Sequence, residues 1–183
     1  MFLKVNIQIF ISSIILLLVG SLLHFAYDFF NNNFIVGLFT PINESVWEHL
    51  KLAFFPILFW WIVFYWRKNK RYNLKRNKWF LGCLVSIITS IIIILGGHYF
   101  MKFGLNIHSV LIDIILFYIA IFTGQYAGYH VYNFSEFSKI DNIYFPVVAI
   151  GVIIIVFIIL TISPLKLPVF EDPKTNTYGI YKK

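Results

Sequence analysis

The residues of this chain best suited to chemistry are histidines and carboxylates near the ends of long apolar segments. The densest group is the block 43–49, where Glu44, Glu48 and His49 stand close together. Imidazole nitrogens and carboxylate oxygens together suit zinc, manganese or iron. A catalytic zinc ion keeps one position for water, which a nearby carboxylate can deprotonate as general base. This combination of residue types predicts metal-dependent hydrolysis.

Helical spacing groups several of these side chains. Residues four apart lie on one face of a helix, and this spacing relates His24 to Asp28 and Ser45 to His49. We therefore predict one metal site, with zinc as the expected ion and five candidate ligands: His24, Asp28, His49, His98 and His108. Two candidate catalytic bases accompany them, Glu44 and Glu48, and the other polar groups of the site are Asn43, Ser45 and Asp113.

Structural roles compete for part of the block 43–49. Ser45 and Glu48 match the S-x-x-E capping box, in which both side chains satisfy backbone N–H groups at a helix start. Glu44 could interact with the helix dipole, and Lys51 could pair with Glu48. The block contains no HExxH motif, because His49 directly follows Glu48. The sequence leaves the structural and catalytic interpretations open.

Asp113 is the strongest single indication of an internal site. It is expected about one and a half turns inside the fourth apolar segment, about 7 Å into the bilayer at the rise of an α-helix. An ionisable side chain in hydrocarbon costs about 2.5–3.5 kcal/mol on insertion scales, so it is usually functional. His108 is turned from Asp113 by about 140° on an ideal helix. The two side chains are therefore not expected to bind the same atom.

Composition defines the class of protein, with 60% hydrophobic residues, 13% charged residues and a mean hydropathy of +0.80. Runs of about 20 apolar residues can cross a bilayer, and such runs cover residues 5–28, 46–66, 79–101, 110–132 and 143–163. We predict an all-α polytopic membrane protein, one domain over residues 1–183 with five transmembrane helices. The first run is longer than the apolar core of a signal peptide. The single Cys83 excludes a disulfide within the chain.

Positive charge predicts the orientation of the bundle. Lysines and arginines crowd the loop 67–78 without an acidic residue, which places this loop in the cytoplasm. The anionic leaflet accounts for the basic loop, so no nucleic-acid partner is expected. The amino terminus is then cytoplasmic, and the carboxyl terminus is external to the cell membrane. The predicted site lies at the outer surface. Among the histidines and acidic residues, only His130, Glu136 and Asp141 are expected at the inner end.

Two connecting segments are expected to cover the site. Residues 31–44 contain the apolar run 34–41, which is too short to span a bilayer, so the segment is expected to lie on or dip into the outer interface. Residues 164–183 form an external tail, with two short extended arms around a turn of Asp, Pro and Asn. The first segment could roof the site, and the tail could fold back as a lid.

Two further patterns concern helix packing. Gly124 and Gly128 have the G-x-x-x-G spacing that lets two membrane helices approach closely, with Gln125 available to hydrogen-bond across the contact. An interfacial aromatic belt is expected to bracket the basic loop, formed by Trp60, Trp61, Tyr65, Trp66 and Trp79.

Three motifs also carry a family resemblance. They are His24-x-x-x-Asp28, the P-x-N-E-S-x-W-E-H block that begins at Pro41, and the L-P-x-F-x-D-P-x-T-x-x-Y-G tail that begins at Leu167. Together they resemble an uncharacterised family of small bacterial multi-pass membrane proteins. The resemblance extends over nearly the whole chain and implies its domain limits and topology. That family has no established activity, so the resemblance implies no mechanism.

Two hypotheses of function follow from these patterns. The first is a metal-dependent hydrolase acting on a lipid or envelope substrate at the outer leaflet. The second is a protein without enzymatic activity, whose polar groups hold an ion or ligand, support transport, or contact a neighbouring subunit. Bound metal distinguishes the two.

Overall fold

The computed structural model describes the backbone of residues 2–135 and 143–180, with side chains from Gln8 onward. Glu136 and Asp141, which the sequence places at the inner end, lie outside the described residues. The fold is all-helical apart from a small hairpin. Its helices are α1 (Phe2–His24), α2 (Ala26–Phe29), α3 (Phe34–Gly37), α4 (Val46–His49), α5 (Lys51–Tyr72), α6 (Arg76–Tyr99), α7 (Val110–Phe134) and α8 (Tyr144–Ile162). A π-helical turn, Phe100–Gly104, extends α6.

Among the described residues, four segments are long and apolar enough to cross a membrane: Val46–Tyr72, Arg76–Gly104, Val110–Phe134 and Tyr144–Ile162. They correspond to four of the five predicted spans. The remaining predicted span, residues 5–28, falls on α1, whose described apolar part is Gln8–His24. Because the helix is interrupted at Phe25, Asp28 belongs to the separate short helix α2.

Four of the long helices pack in a closed ring. α1 contacts α5 and α7, and α6 contacts the same two helices. α8 packs on α6 outside this ring, and the ring of its Phe157 contacts that of Phe54 in α5, with centroids 5.0 Å apart. Consecutive helices alternate in direction, so the ring brings the end of α1 beside the start of α5, and the end of α6 beside the start of α7. The sequence could not show that α1 lies next to α7.

The contact between α6 and α7 depends on small residues, as the G-x-x-x-G spacing predicted. A Cβ atom added to Gly128 would lie 2.4 Å from the carbonyl oxygen of Gly82. The Ser90 hydroxyl donates to the Ala120 carbonyl at 3.0 Å, which links the same two helices. Gln125 is buried and accepts a hydrogen bond from Trp61 of α5, so it joins α7 to α5 rather than to α6.

The aromatic belt prediction was wrong for two tryptophans. Trp61 and Trp79 are fully buried, with ring centroids 4.6 Å apart. The Trp79 indole donates to the Trp61 carbonyl, and the Trp61 indole donates to Gln125. A buried indole N–H usually has such a partner. These two rings therefore form the core at the basic end of the ring of helices instead of facing lipid.

Candidate metal centre

Asn43 and Ser45 define the start of the helix that carries His49. The Ser45 hydroxyl accepts the Glu48 backbone N–H at 3.3 Å, so Ser45 is the N-cap of α4. The Asn43 side chain accepts the Ser45 N–H at 2.9 Å. In a complete capping box, Glu48 would accept this second N–H. Because Asn43 accepts it instead, the Glu48 carboxylate is available for a different partner.

His24 and His49 meet where the end of α1 packs against the start of α5. The two Nε2 atoms are 3.1 Å apart, and the ring centroids are 5.0 Å apart. Glu44 precedes the helix start and completes the group. Its Oε2 atom lies 3.7 Å from His24 Nε2 and 3.5 Å from His49 Nε2. Among the described residues, one group of donor atoms is close enough together to hold a single metal ion. It is formed by His24, Glu44 and His49.

The geometry of these three donor atoms can be compared with a tetrahedral zinc site. Zinc to nitrogen bonds of about 2.0–2.1 Å place tetrahedral ligand atoms about 3.3 Å apart. The observed separations of 3.1, 3.5 and 3.7 Å bracket this value. Each side chain is 31% exposed, so an ion at the centre of the triangle would be accessible from the surface.

The hydrogen bond of His49 fixes which ring nitrogen faces the centre. His49 Nδ1 lies 2.8 Å from the Ser45 carbonyl oxygen, which can only accept. Nδ1 therefore carries a proton, and in the neutral imidazole Nε2 presents a lone pair to His24 and Glu44. Metal-binding histidines are usually oriented in this way by a carbonyl or carboxylate on the other nitrogen.

Glu44 is held as a carboxylate. Partial burial alone would raise its pKa, but the hydrogen bond from Lys174 and the neighbouring His49 and His24 outweigh that effect and lower the pKa below its ordinary value. Lys174 Nζ donates to Oε1 at 2.8 Å, which leaves Oε2 facing the two imidazoles. Because the pKa of Glu44 is lowered in the folded state, its ionised carboxylate stabilises the fold at pH values above the ordinary pKa. This stabilisation is lost as the pH falls through the lowered pKa.

The carboxyl-terminal tail brings Lys174 to the site. Its strands β1 (Glu171–Asp172) and β2 (Thr177–Tyr178) pair in antiparallel fashion, which confirms the predicted turn between two short arms. The Asp172 carboxylate accepts the Lys174 backbone N–H at 2.9 Å and so orders the turn. Lys174 is not among the candidate site residues predicted from the sequence. Its only signal was its place in a tail expected to fold back.

Contacts with the block 43–49 hold the tail in place. The Trp47 backbone N–H donates to the Val169 carbonyl at 2.9 Å, and the Asn43 side chain donates to the Gly179 carbonyl at 3.1 Å. Phe170 is buried, and its ring centroid is 5.0 Å from that of Trp47. Apolar and polar contacts thus place the hairpin over the start of α4, next to the three candidate ligands.

Glu48 has a different environment from Glu44. Its buried carboxylate accepts from Lys51 Nζ at 2.6 Å, from the Ile42 N–H at 3.1 Å and from the Thr161 hydroxyl at 3.2 Å. Lys51 is fully buried and also donates to the Gly37 carbonyl at 2.8 Å. This ion pair ties α4 and α5 to the segment 31–44 and to α8. The i, i+3 spacing of Glu48 and Lys51 in the sequence had allowed this ion pair.

The other predicted site residues lie apart from the triangle. Asp28 is exposed on α2. His98 Nδ1 is 3.2 Å from the Asp113 carboxylate, and His108 faces Asn106 at 3.4 Å. The expectation that Asp113 lies one and a half turns inside its helix was wrong. α7 begins at Val110, so Asp113 lies in its first turn, and its side chain is 47% exposed.

The fold and the site together define an all-helical protein that has four segments apolar enough to cross a membrane, with a cluster of two histidines and a glutamate at one end. The chain belongs to DUF6512, a family of unknown function whose model matches residues 2–180. No curated protein and no solved structure matches the chain. The match covers nearly the whole chain, as the resemblance implied. Function must therefore be inferred from the site itself.

Proposed function

We propose that this protein is a metal-dependent membrane hydrolase whose zinc ion is bound by His24, Glu44 and His49. The observation that carries the proposal is the triangle of donor atoms, whose edges of 3.1, 3.5 and 3.7 Å suit one small ion. Three protein ligands are typical of catalytic zinc, which keeps its fourth position for water. The partial exposure of all three side chains gives a substrate access to that position.

Hydrolysis at this centre does not require Glu48. Zinc with three protein ligands lowers the pKa of water in its fourth position to about 7, which supplies a nucleophile near neutral pH. Lys174 adds a positive charge beside the centre, where it would favour an anionic substrate or a developing negative charge. The substrate class we propose is a lipid or envelope molecule, because the centre lies at the end of helices that can span a bilayer.

Zinc analysis of the purified protein tests this function. We expect about one zinc ion per chain after incubation with zinc and removal of the excess. The His49→Ala variant should lose it, because only two donor atoms remain. His98→Ala is the matched control, since it removes a histidine at the same end of the ring but outside the triangle, and it should keep the ion. A folded protein without zinc, or equal loss in both variants, would contradict the proposal.

The same proposal includes five spans, with the metal centre at the outer face of the cell membrane. α1 has 23 residues and rises about 34 Å, which exceeds a hydrocarbon core of about 30 Å. The basic residues 67–78 join the ends of α5 and α6 that lie opposite the centre. The positive-inside rule then favours a cytoplasmic amino terminus and an external tail.

Cysteine labelling in intact cells tests this orientation. Cys83 is buried and should contribute little background. The Lys166→Cys variant, at an exposed position before the tail hairpin, should react with a membrane-impermeant maleimide. Lys70→Cys, exposed near the end of α5, should react only after lysis. The reverse labelling pattern would overturn the proposed orientation. It would not affect the proposed metal centre, which the zinc analysis tests separately.

A second candidate function is ion or ligand binding without catalysis, as in a transport or partner subunit. The observation that favours it is that both predicted bases are engaged, Glu44 by Lys174 and Glu48 by Lys51. Stoichiometric zinc in a protein that hydrolyses no lipid phosphate, ester or amide would favour this candidate over the hydrolase.

A further inference from the structure

A cavity open to the surface lies at the same end of the ring, outside the candidate metal centre. It measures about 270 Å³ and lies between the end of α6 and the start of α7, lined by His98, Lys102, Ile107, His108, Ser109, Val110 and Asp113. Ligand pockets for drug-sized molecules are about 300–1,000 Å³. This cavity is therefore suited to a small polar group rather than to a whole lipid.

Lys102 brings a positive charge to the cavity and forms no ion pair with the Asp113 carboxylate that also lines it. Within residues 2–135 and 143–180, its ammonium group forms no hydrogen bond or ion pair, and it lies 5.6 Å from the centroid of the Phe103 ring. The Asp113 carboxylate faces His98 instead, at 3.2 Å. Lys102 belongs to the π-helical turn that extends α6, and such turns often occur at functional sites.

The start of α7 adds hydrogen-bond donors to the same wall. Ser109 precedes the helix, and its side chain does not cap it. The first backbone N–H groups of a helix lack partners within the helix, and the helix dipole favours an anion at this end. Together with Lys102, His98 and His108, these groups form a set in which donors and positive charge outnumber the single carboxylate.

The surroundings of the cavity indicate where its ligand comes from. Two candidate spans, Arg76–Gly104 and Val110–Phe134, end and begin at the cavity, so it lies where these two helices would meet the membrane surface. Phe103, Leu105 and Val110 are exposed beside it. Exposed apolar residues around a polar cavity at this depth fit a molecule with an apolar tail and an anionic head.

We propose that this cavity binds a phosphate group carried by a membrane amphiphile, such as the phosphomonoester of phosphatidic acid. Lys102 provides the charge, and Ser109 and the two histidines provide hydrogen bonds. The site shares no residue with the triangle of His24, Glu44 and His49. Phosphate binding therefore neither requires the metal nor depends on hydrolysis.

Native mass spectrometry of the delipidated full-length protein can test this proposal with dioctanoyl phosphatidic acid. Dioctanoylglycerol, which lacks the phosphate, is the matched lipid and should bind at least about tenfold more weakly. The Lys102→Gln variant should lose about tenfold in affinity for phosphatidic acid, because a charge-assisted hydrogen bond is removed. Lys166→Gln, an exposed lysine at the same end, should change affinity by less than about twofold.

Two further measurements decide whether the ligand is an anion or a cation, and whether its phosphate group belongs to a lipid. Asp113→Asn keeps an acceptor for His98 while removing the negative charge, so phosphatidic acid should bind equally or more tightly. Weaker binding in this variant would mean that the cavity takes a cation. Inorganic phosphate should compete only at concentrations far above that of the lipid, and competition at equal concentration would overturn the lipid source. Equal losses in Lys102→Gln and Lys166→Gln, or equal binding of dioctanoylglycerol, would overturn the site.

Discussion

Replacing Lys51 with methionine is expected to lower the free energy of unfolding by about 3–5 kcal/mol, the range measured when one partner of a buried ion pair is removed. The substitution leaves the Glu48 carboxylate 3% exposed without its cation. It also leaves the Gly37 carbonyl without the ammonium that it accepts from. Unfolding by SDS in mixed micelles, followed by tryptophan fluorescence, measures the loss.

Two companion variants separate charge from packing. Lys174→Met removes the other lysine paired with a glutamate, but this pair is exposed, with Lys174 at 70%, so the cost should be about 1 kcal/mol or less. Glu48→Gln combined with Lys51→Met should recover much of the loss, because no unpaired charge stays buried. Equal costs for the two lysine variants would show that Glu48 is not held as a buried ion pair.

Adding zinc is expected to stabilise the protein, because the ion binds the folded chain and the unfolded chain lacks the preformed site. At a free concentration of 100 times Kd, the gain is about 2.7 kcal/mol. For a chain of this length, that gain corresponds to an increase in Tm of about 5–10 °C. Scanning fluorimetry in detergent, with zinc and then with excess chelator, measures the increase and its reversal.

The site residues and the pH provide the controls for this experiment. Glu44→Gln and His24→Ala should abolish the zinc-dependent increase in Tm, and His108→Ala should retain it. The increase should shrink as the pH falls, because imidazole must lose its proton to bind zinc. Glu44 remains ionised through that range, since the Lys174 hydrogen bond and the two histidines keep its pKa below the ordinary value of 4.5 despite partial burial. An increase that persists in Glu44→Gln would place the zinc elsewhere.

Local sequence patterns were sufficient to predict four of the long helices. Hydropathy over about 20 residues depends only on the residues within the window, so four candidate spans fell within a few residues of their predicted limits. The close contact of α6 and α7 was also predictable, because the Gly124 and Gly128 spacing is itself the packing surface. Interruptions such as the one at Phe25 depend on packing between helices and gave no signal in hydropathy.

The candidate site was predictable only as a set of residue types at one end of the chain's helices. His24, Glu44 and His49 were all in that set, but so were His98, His108 and Asp113, which the structure places around a different cavity. Spacing along one helix cannot distinguish these groups. The distinction depends on which helices are neighbours, and the ring places the end of α1 beside the start of α5.

The two glutamates of the block 43–49 show what the sequence determines and what the tertiary structure determines. The sequence by itself determined that Glu44 and Glu48 lie at a helix start beside Ser45, because capping is a local matter of backbone N–H groups. Only the tertiary structure decided their partners, since a carboxylate responds to whatever lies within a few ångströms of it. Lys51 and Thr161 enclose Glu48, whereas Lys174 arrives on the tail and turns Glu44 toward the two histidines.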